Sequence, residues 1–178
     1  AVNPDVVFVA SALNDHLRAE QNWYASSDLS FVEYGALQLL DERFGGCREL
    51  SGFNVALFRA LGIPCGIDRV VQNPHRIGSH MWTFMVDTDG RKLPYLWNYY
   101  NIDREERMEE KYGKVYRDYF SVQTTNWAVS YPDEDIPGIL KKPFLRDVSD
   151  EYFGRNVAVV PLYDSAGDGR LCYLAVFN

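Results

Sequence analysis

The chain has 178 residues, of which 47% are hydrophobic and 24% charged, a balance typical of a globular protein rather than a disordered one. Its 18 basic and 25 acidic residues give a net charge of -7, which argues against general nucleic-acid binding because phosphate backbones are repelled. No apolar stretch approaches the ~18 residues of a membrane helix. The 3 cysteines are too few, and odd in number, for a disulfide framework.

Two helices are predicted before residue 45. Apolar residues at helical spacing predict the first from Val6 to about Arg18 and the second from Phe31 to Phe44. Ser30 and Glu33 have the spacing of a capping box at the start of the second helix. The pair Gly45-Gly46 then interrupts the helical pattern.

A third helix is predicted from Cys47 to Leu61, where apolar residues recur at steps of three and four. Gly62 and Pro64 are typical stop signals. Gly52 lies inside this helix, where glycine costs about 1 kcal/mol relative to alanine. We therefore expect Gly52 to mark close packing of the helix on a sheet, and its replacement by valine to lower the melting temperature.

Beyond residue 66 the apolar residues alternate with period two, which predicts β-strands. The predicted strands cover 67–71, 78–87 and 91–97. The turn Asp87-Thr88-Asp89-Gly90 is typical of a hairpin between the last two. His80 and Trp82 share one face of the middle strand, and we expect that face to pack on the apolar stripe that begins with Cys47.

The second half of the chain predicts less regular structure. Residues 103–111 are rich in charge and typical of a solvated helix or loop. Residues 131–143 hold 3 prolines and predict a linker or long loop, and 157–177 predict a β-hairpin. The expected organisation is a domain over 1–130, the linker, and a C-terminal β segment over 144–178 that is a hairpin or the start of a β-sandwich.

Cys47 and His80 are the two residues placed for chemistry. At a helix start, unpaired backbone N–H groups and the helix dipole favour an anion, and hence a thiolate at Cys47. An imidazole within hydrogen-bonding distance would make this thiolate a nucleophile with a general acid/base. Alone, each residue has an ordinary interpretation, since cysteine is often a small buried hydrophobe and histidine a hydrogen-bonded core residue.

The surroundings of both residues resemble the transglutaminase-like superfamily over about residues 30 to 97. The resemblance rests on Gly46-Cys47-Arg48-Glu49-Leu50, Arg59-Ala60-Leu61-Gly62-Ile63-Pro64, Gly78-Ser79-His80-Met81-Trp82 and Asp89-Gly90. It implies a papain-like α+β fold, with N-terminal helices packed on an antiparallel sheet. It also implies that Cys47 is the nucleophile and His80 the acid/base, in a bacterial protein of the periplasm or cell surface, although no signal peptide opens this chain.

The third catalytic residue is where the sequence departs from the family pattern. The family places an acidic residue near position 96, which is Leu96 here. Asn98 is the nearest polar candidate, because papain-like enzymes can use asparagine to orient the histidine, and Asp87 and Asp103 are weaker candidates. For the oxyanion, the backbone N–H of Cys47 is the generic donor, and side-chain candidates lie at Gln21, Asn22 and Trp23.

The resulting functional prediction is thiol-dependent acyl transfer at an amide bond of a peptide, protein or other amide, without a cofactor. Hydrolysis, as in a protease or amidase, is favoured over cross-linking. The alternative is an inactive module that binds peptide or carbohydrate. Two features favour it: Leu96 replaces the acidic residue of the family, and the aromatic residues Trp97, Tyr99 and Tyr100 could bind such a ligand. No metal is expected, because Cys47, Cys65, His75 and His80 lack the tight spacing of structural zinc sites.

Overall fold

A five-stranded antiparallel sheet forms the centre of the fold. The computed structural model describes residues 5–20, 24–25, 34–72, 78–95, 113–124, 127–138, 140–155, 157 and 159–161. The helices in these ranges are α1 (Val6–Glu20), α2 (Ala36–Glu42), α3 (Cys47–Ala60), α4 (Trp127–Ser130) and α5 (Ser149–Phe153). The strands are β1 (Tyr24–Ala25), β2 (Phe44–Gly45), β3 (Cys65–Val70), β4 (His80–Val86), β5 (Lys92–Tyr95), β6 (Tyr116–Asp118) and β7 (Leu145–Asp147). The order across the main sheet is β5-β4-β3-β6-β7, and β1 pairs in parallel with β2 beside it.

The predicted first and third helices are confirmed, whereas the second is shorter than expected. The helix α2 begins at Ala36, after Gly35 in an extended conformation, and ends at Glu42, before Arg43, whose φ of 57° is left-handed. Phe44 does not continue the helix because it pairs with Tyr24 in the small sheet. The predicted capping box at residues 30 and 33 lies outside the described residues.

The face of β4 that packs on α3 is the opposite of the one expected. The Ser51 hydroxyl donates to the carbonyl oxygen of Met81 at 3.3 Å, and the Thr83 hydroxyl donates to the carbonyl oxygen of Ser51 at 3.3 Å. Side chains alternate along a strand, so Trp82 points away from α3. Alternation could not choose between the faces, because the residues from Met81 to Met85 are all buried.

On the α3 side, the helices and the sheet enclose the larger hydrophobic core. Its buried members are Ala10, Leu17, Leu39, Leu50, Phe53, Phe58, Ile63, Met85 and Tyr95. The Tyr95 hydroxyl crosses this core to donate to Oδ1 of Asn14 in α1 at 3.2 Å. The helix α1 is therefore tied to the sheet edge at β5 by a buried polar contact as well as by apolar packing.

The other face of the sheet is covered by the chain that follows residue 113. A smaller core unites Val70, Trp82, Val115 and Val148, with Tyr152 of α5 packed against it. Residues 145–153 thus belong to the same sheet and its packing, although they follow the predicted linker at 131–143, where the structure describes turns and the buried Ile136. Most of the predicted hairpin over 157–177 lies outside the described residues, and the division into domains stays a prediction.

Among the helices that the structure describes, none combines the length and apolarity needed to cross a membrane.

The close packing expected at Gly52 is wrong, so the structure gives no steric reason for a substitution there to lower stability. Gly52 is exposed, and a Cβ added there would meet nothing within 4 Å. We predict that Gly52→Ala raises the free energy of unfolding by about 0.5–1 kcal/mol, because alanine reduces the backbone entropy of the unfolded chain without a clash. Urea denaturation measures this change.

Gly66→Ala is the matched control in the sheet. A Cβ at Gly66 would lie 2.7 Å from the Phe84 ring, so the same substitution should lower stability there. Equal effects at the two positions would contradict either the open surroundings of Gly52 or the close contact of Gly66 with Phe84.

Candidate functional site

Cys47 is the first residue of α3 and its thiol is half-buried and free. Gly46 precedes it in an extended conformation, and the Gly46 N–H donates to Oε2 of Glu49 at 2.9 Å. The N–H of Cys47 itself belongs to the first turn, where a helix offers no internal acceptor. The thiol therefore lies beside a backbone donor that can stabilise developing negative charge.

The approach of the chain to Cys47 requires glycine at position 45. A Cβ on Gly45 would lie 2.9 Å from Cβ of Glu49 and 2.9 Å from Cδ1 of Leu39. Gly45 pairs with Ala25 in the parallel β1–β2 ladder. The candidate oxyanion donors at residues 21–23 lie outside the described residues, but the chain that directly follows them runs beside the turn that leads into Cys47.

His80 is the first residue of β4 and is half-buried. It pairs with Val70 at the end of β3, and its ring centroid lies 5.8 Å from that of Trp82, at an interplanar angle of 37°. His80 and Trp82 share the face of the sheet opposite α3. The imidazole is therefore held at the beginning of the strand, against the indole.

The register of α3 on the sheet brings Cys47 and His80 to the same end of the molecule. Ser51, one turn beyond Cys47, bonds to Met81, the residue after His80. Val55, a further turn on, accepts a hydrogen bond from the Cys65 thiol at 3.6 Å, and Cys65 is paired with the far end of β4. The helix and β4 therefore run in the same direction, and both begin at the end that carries the thiol and the imidazole.

Of the candidates for a third catalytic residue, one lies in a turn and the others lie outside the described residues. Asp87 is held by the hairpin: its carboxylate accepts the backbone N–H groups of Asp89 at 2.9 Å and Arg91 at 2.8 Å, and the Arg91 Nε at 2.7 Å. This confirms its interpretation as a turn residue. Asn98, with Leu96 and Asp103, lies outside the described residues, and its catalytic role stays a prediction.

Cys65 differs from Cys47 in its surroundings. It lies on the α3 face of β3, and burial raises the pKa of its thiol despite the nearby Arg59. In the described ranges, no group of three acidic, cysteine or histidine side chains is arranged to hold a metal ion. His75 and Cys172 lie outside those ranges.

Sequence reasoning missed a buried polar network on the far face of the sheet. Arg117 of β6 donates from Nε and Nη2 to the two carboxylate oxygens of Asp68, each at 2.7 Å, and its Nη1 donates to Glu151 at 2.7 Å. Asp68 is 0% exposed and Arg117 is 2% exposed. The only signal in the sequence was the pair of charged residues Asp68 and Arg69 in a predicted strand, and the partner of Asp68 lies 49 positions away.

The comparisons with known proteins agree with this architecture. The model of the transglutaminase-like superfamily matches residues 3–98, a span that includes Cys47, His80 and Asn98. The chain belongs to the transglutaminase-like superfamily, and its α3 helix on an antiparallel sheet confirms the expected α+β fold of the papain-like type.

A search of curated proteins found no match. Among solved structures, the chain is similar to a protein from Cytophaga hutchinsonii described as a candidate cysteine protease, with 20% identity and a TM-score of 0.38. The similarity covers 50% of this chain and 29% of that one, so the chain spans less than a third of the length of its structural neighbour.

We predict that Gly45→Ala lowers the free energy of unfolding by about 1–3 kcal/mol, because the added Cβ would overpack the junction of α2 and α3. Urea denaturation measures the loss. Gly113→Ala is the control, since a Cβ there would meet nothing within 4 Å. Equal stability of the two variants would mean that β2 does not press on the start of α3.

Proposed function

We propose that the protein catalyses thiol-dependent acyl transfer at an amide bond, with Cys47 as the nucleophile and His80 as the general acid/base. The proposal depends on one observation: α3 and β4 begin at the same end of the molecule. The half-buried Cys47 is the first residue of the helix, and His80 is the first residue of the strand. Membership of the transglutaminase-like superfamily supports it.

The proposed reaction has two stages. At the end of the molecule where α3 and β4 both begin, the His80 imidazole reaches past the end of the sheet to take the proton from the Cys47 thiol, and the thiolate attacks the carbonyl carbon of the amide. The backbone N–H of Cys47 stabilises the oxyanion, and the imidazolium returns the proton to the leaving amine as the C–N bond breaks. Water, deprotonated by His80, then attacks the thioester, which releases a carboxylic acid and restores the thiol.

Water as the second nucleophile makes the protein a protease or amidase, which we propose over cross-linking. The substrate is then a peptide, protein or other amide, and the reaction needs no cofactor. We assign Asn98 the role of orienting the imidazole and holding its tautomer. We further propose, from the family resemblance alone, that the protein acts in the periplasm or at the cell surface.

A non-catalytic module is the second candidate, because Leu96 stands where the family has an acidic residue. Without an orienting group, the imidazole would be a poor base. The fold would then serve to bind peptide or carbohydrate, with Trp97, Tyr99 and Tyr100 as contact residues. The reactivity of Cys47 distinguishes the two functions.

We predict that Cys47 is alkylated on the order of tenfold faster than Cys65 at pH 7, because the proposed imidazole partner accepts the proton of the Cys47 thiol. Burial has the opposite effect at Cys65, where it raises the pKa of the thiol. Iodoacetamide labelling of the native protein between pH 5.5 and 9, followed by peptide mass spectrometry, gives the rate at each cysteine.

Two variants complete this experiment. His80→Ala should remove the advantage of Cys47 near neutral pH, whereas Cys65→Ser should leave the pH profile of Cys47 unchanged. If Cys47 reacts as slowly as Cys65, or reacts equally well without His80, the catalytic pair is not assembled and the binding module becomes the better proposal.

A further inference from the structure

The packing of Trp82 connects His80 to the C-terminal part of the chain. Trp82 follows His80 by two residues on the same face of β4, and the indole is 1% exposed. With ring centroids 5.8 Å apart, the indole limits the positions open to the imidazole from one side. Whatever holds the indole therefore also restricts His80.

The hydroxyl of Tyr152 holds the indole. Trp82 Nε1 donates to Tyr152 Oη at 2.8 Å, and Tyr152 Oη donates to Oδ2 of Asp68 at 2.6 Å. The rings of Trp82 and Tyr152 also meet edge to face, with centroids 5.7 Å apart. Because an indole N–H can only donate and a carboxylate can only accept, this hydroxyl has a single orientation between them.

The network behind Tyr152 fixes that orientation. Asp68 is held by the two-point contact with Arg117, and Arg117 also binds Glu151, the residue before Tyr152 in α5. Two adjacent residues of α5 therefore contact the same buried ion pair. Burial raises the pKa of the Tyr152 phenol, and the Asp68 carboxylate adds to this effect, so the hydroxyl remains a donor.

We propose that Tyr152 is a positioning residue for His80, which acts by fixing the Trp82 indole against the imidazole through a hydrogen bond. This inference rests on the proposed role of His80 in acyl transfer. Without the hydroxyl, the buried indole N–H loses this acceptor, which favours a rearranged indole. The imidazole then loses its support on that side.

The test compares Tyr152→Phe with Tyr95→Phe. Both remove a tyrosine hydroxyl and one or two hydrogen bonds, but Tyr95 lies in the α3-side core and bonds to Asn14. We predict that Tyr152→Phe slows Cys47 alkylation at pH 7 about fivefold, as expected for a lost hydrogen bond. Tyr95→Phe should leave the pH profile of Cys47 unchanged.

A second readout does not depend on catalysis. The NMR resonance of the His80 imidazole, assigned by its absence in His80→Ala, senses the orientation of the Trp82 ring beside it. It should shift in Tyr152→Phe and stay in place in Tyr95→Phe. If both tyrosine variants give the wild-type His80 resonance, the inference is overturned, whether or not Cys47 proves to be reactive.

A double variant tests whether Tyr152 acts through the indole. Trp82→Phe removes the indole donor, so the hydrogen bond between residues 82 and 152 is already absent in that background. Adding Tyr152→Phe should then slow the alkylation of Cys47 no further. The same slowing in both backgrounds would show that Tyr152 does not act through the indole. Insensitivity of wild-type Cys47 to His80→Ala would instead count against the proposed function, and the NMR comparison would still decide the inference.

Discussion

The two hydrogen bonds that join Ser51 to β4 determine where the candidate site can form. The contacted groups are buried, and an unpaired buried donor or acceptor costs about 1–3 kcal/mol, so a shift of α3 along the sheet would be expensive. Cys47 lies one turn before Ser51 and His80 one residue before Met81. The position of the thiol relative to the imidazole along the molecule therefore follows from this one contact between helix and sheet.

The far face of the sheet uses a different kind of interaction. A buried ion pair recovers its desolvation cost only with good geometry, and the Asp68–Arg117 contact is bidentate with a further partner in Glu151. Burial raises the pKa of Asp68 even with Arg117 and Tyr152 beside it, so ionisation of this carboxyl is less favourable here than in water. The pair joins β3 to β6 and, through Glu151, to α5.

The sequence predicted the structural features that depend on residues close together along the chain. The bounds of α3 followed from the spacing of its apolar residues and from Gly62, and β4 followed from alternation. The packing face of β4 was predicted wrongly, because both faces are apolar and only the polar contact of Thr83 with Ser51 distinguishes them. The contacts of Asp68 could not be predicted, because they join residues 49 and 84 positions apart, which no local pattern encodes.

These two layers of packing meet at the candidate site. The thiol depends on the α3 side of the sheet, whereas the imidazole lies on the side that α5 covers, so neither face alone positions both groups. The match to the transglutaminase-like superfamily ends at residue 98, yet Arg117, Glu151 and Tyr152 all lie beyond it. The region of family similarity therefore contains the proposed catalytic residues, while the chain that follows it supports the face of the sheet on which His80 lies.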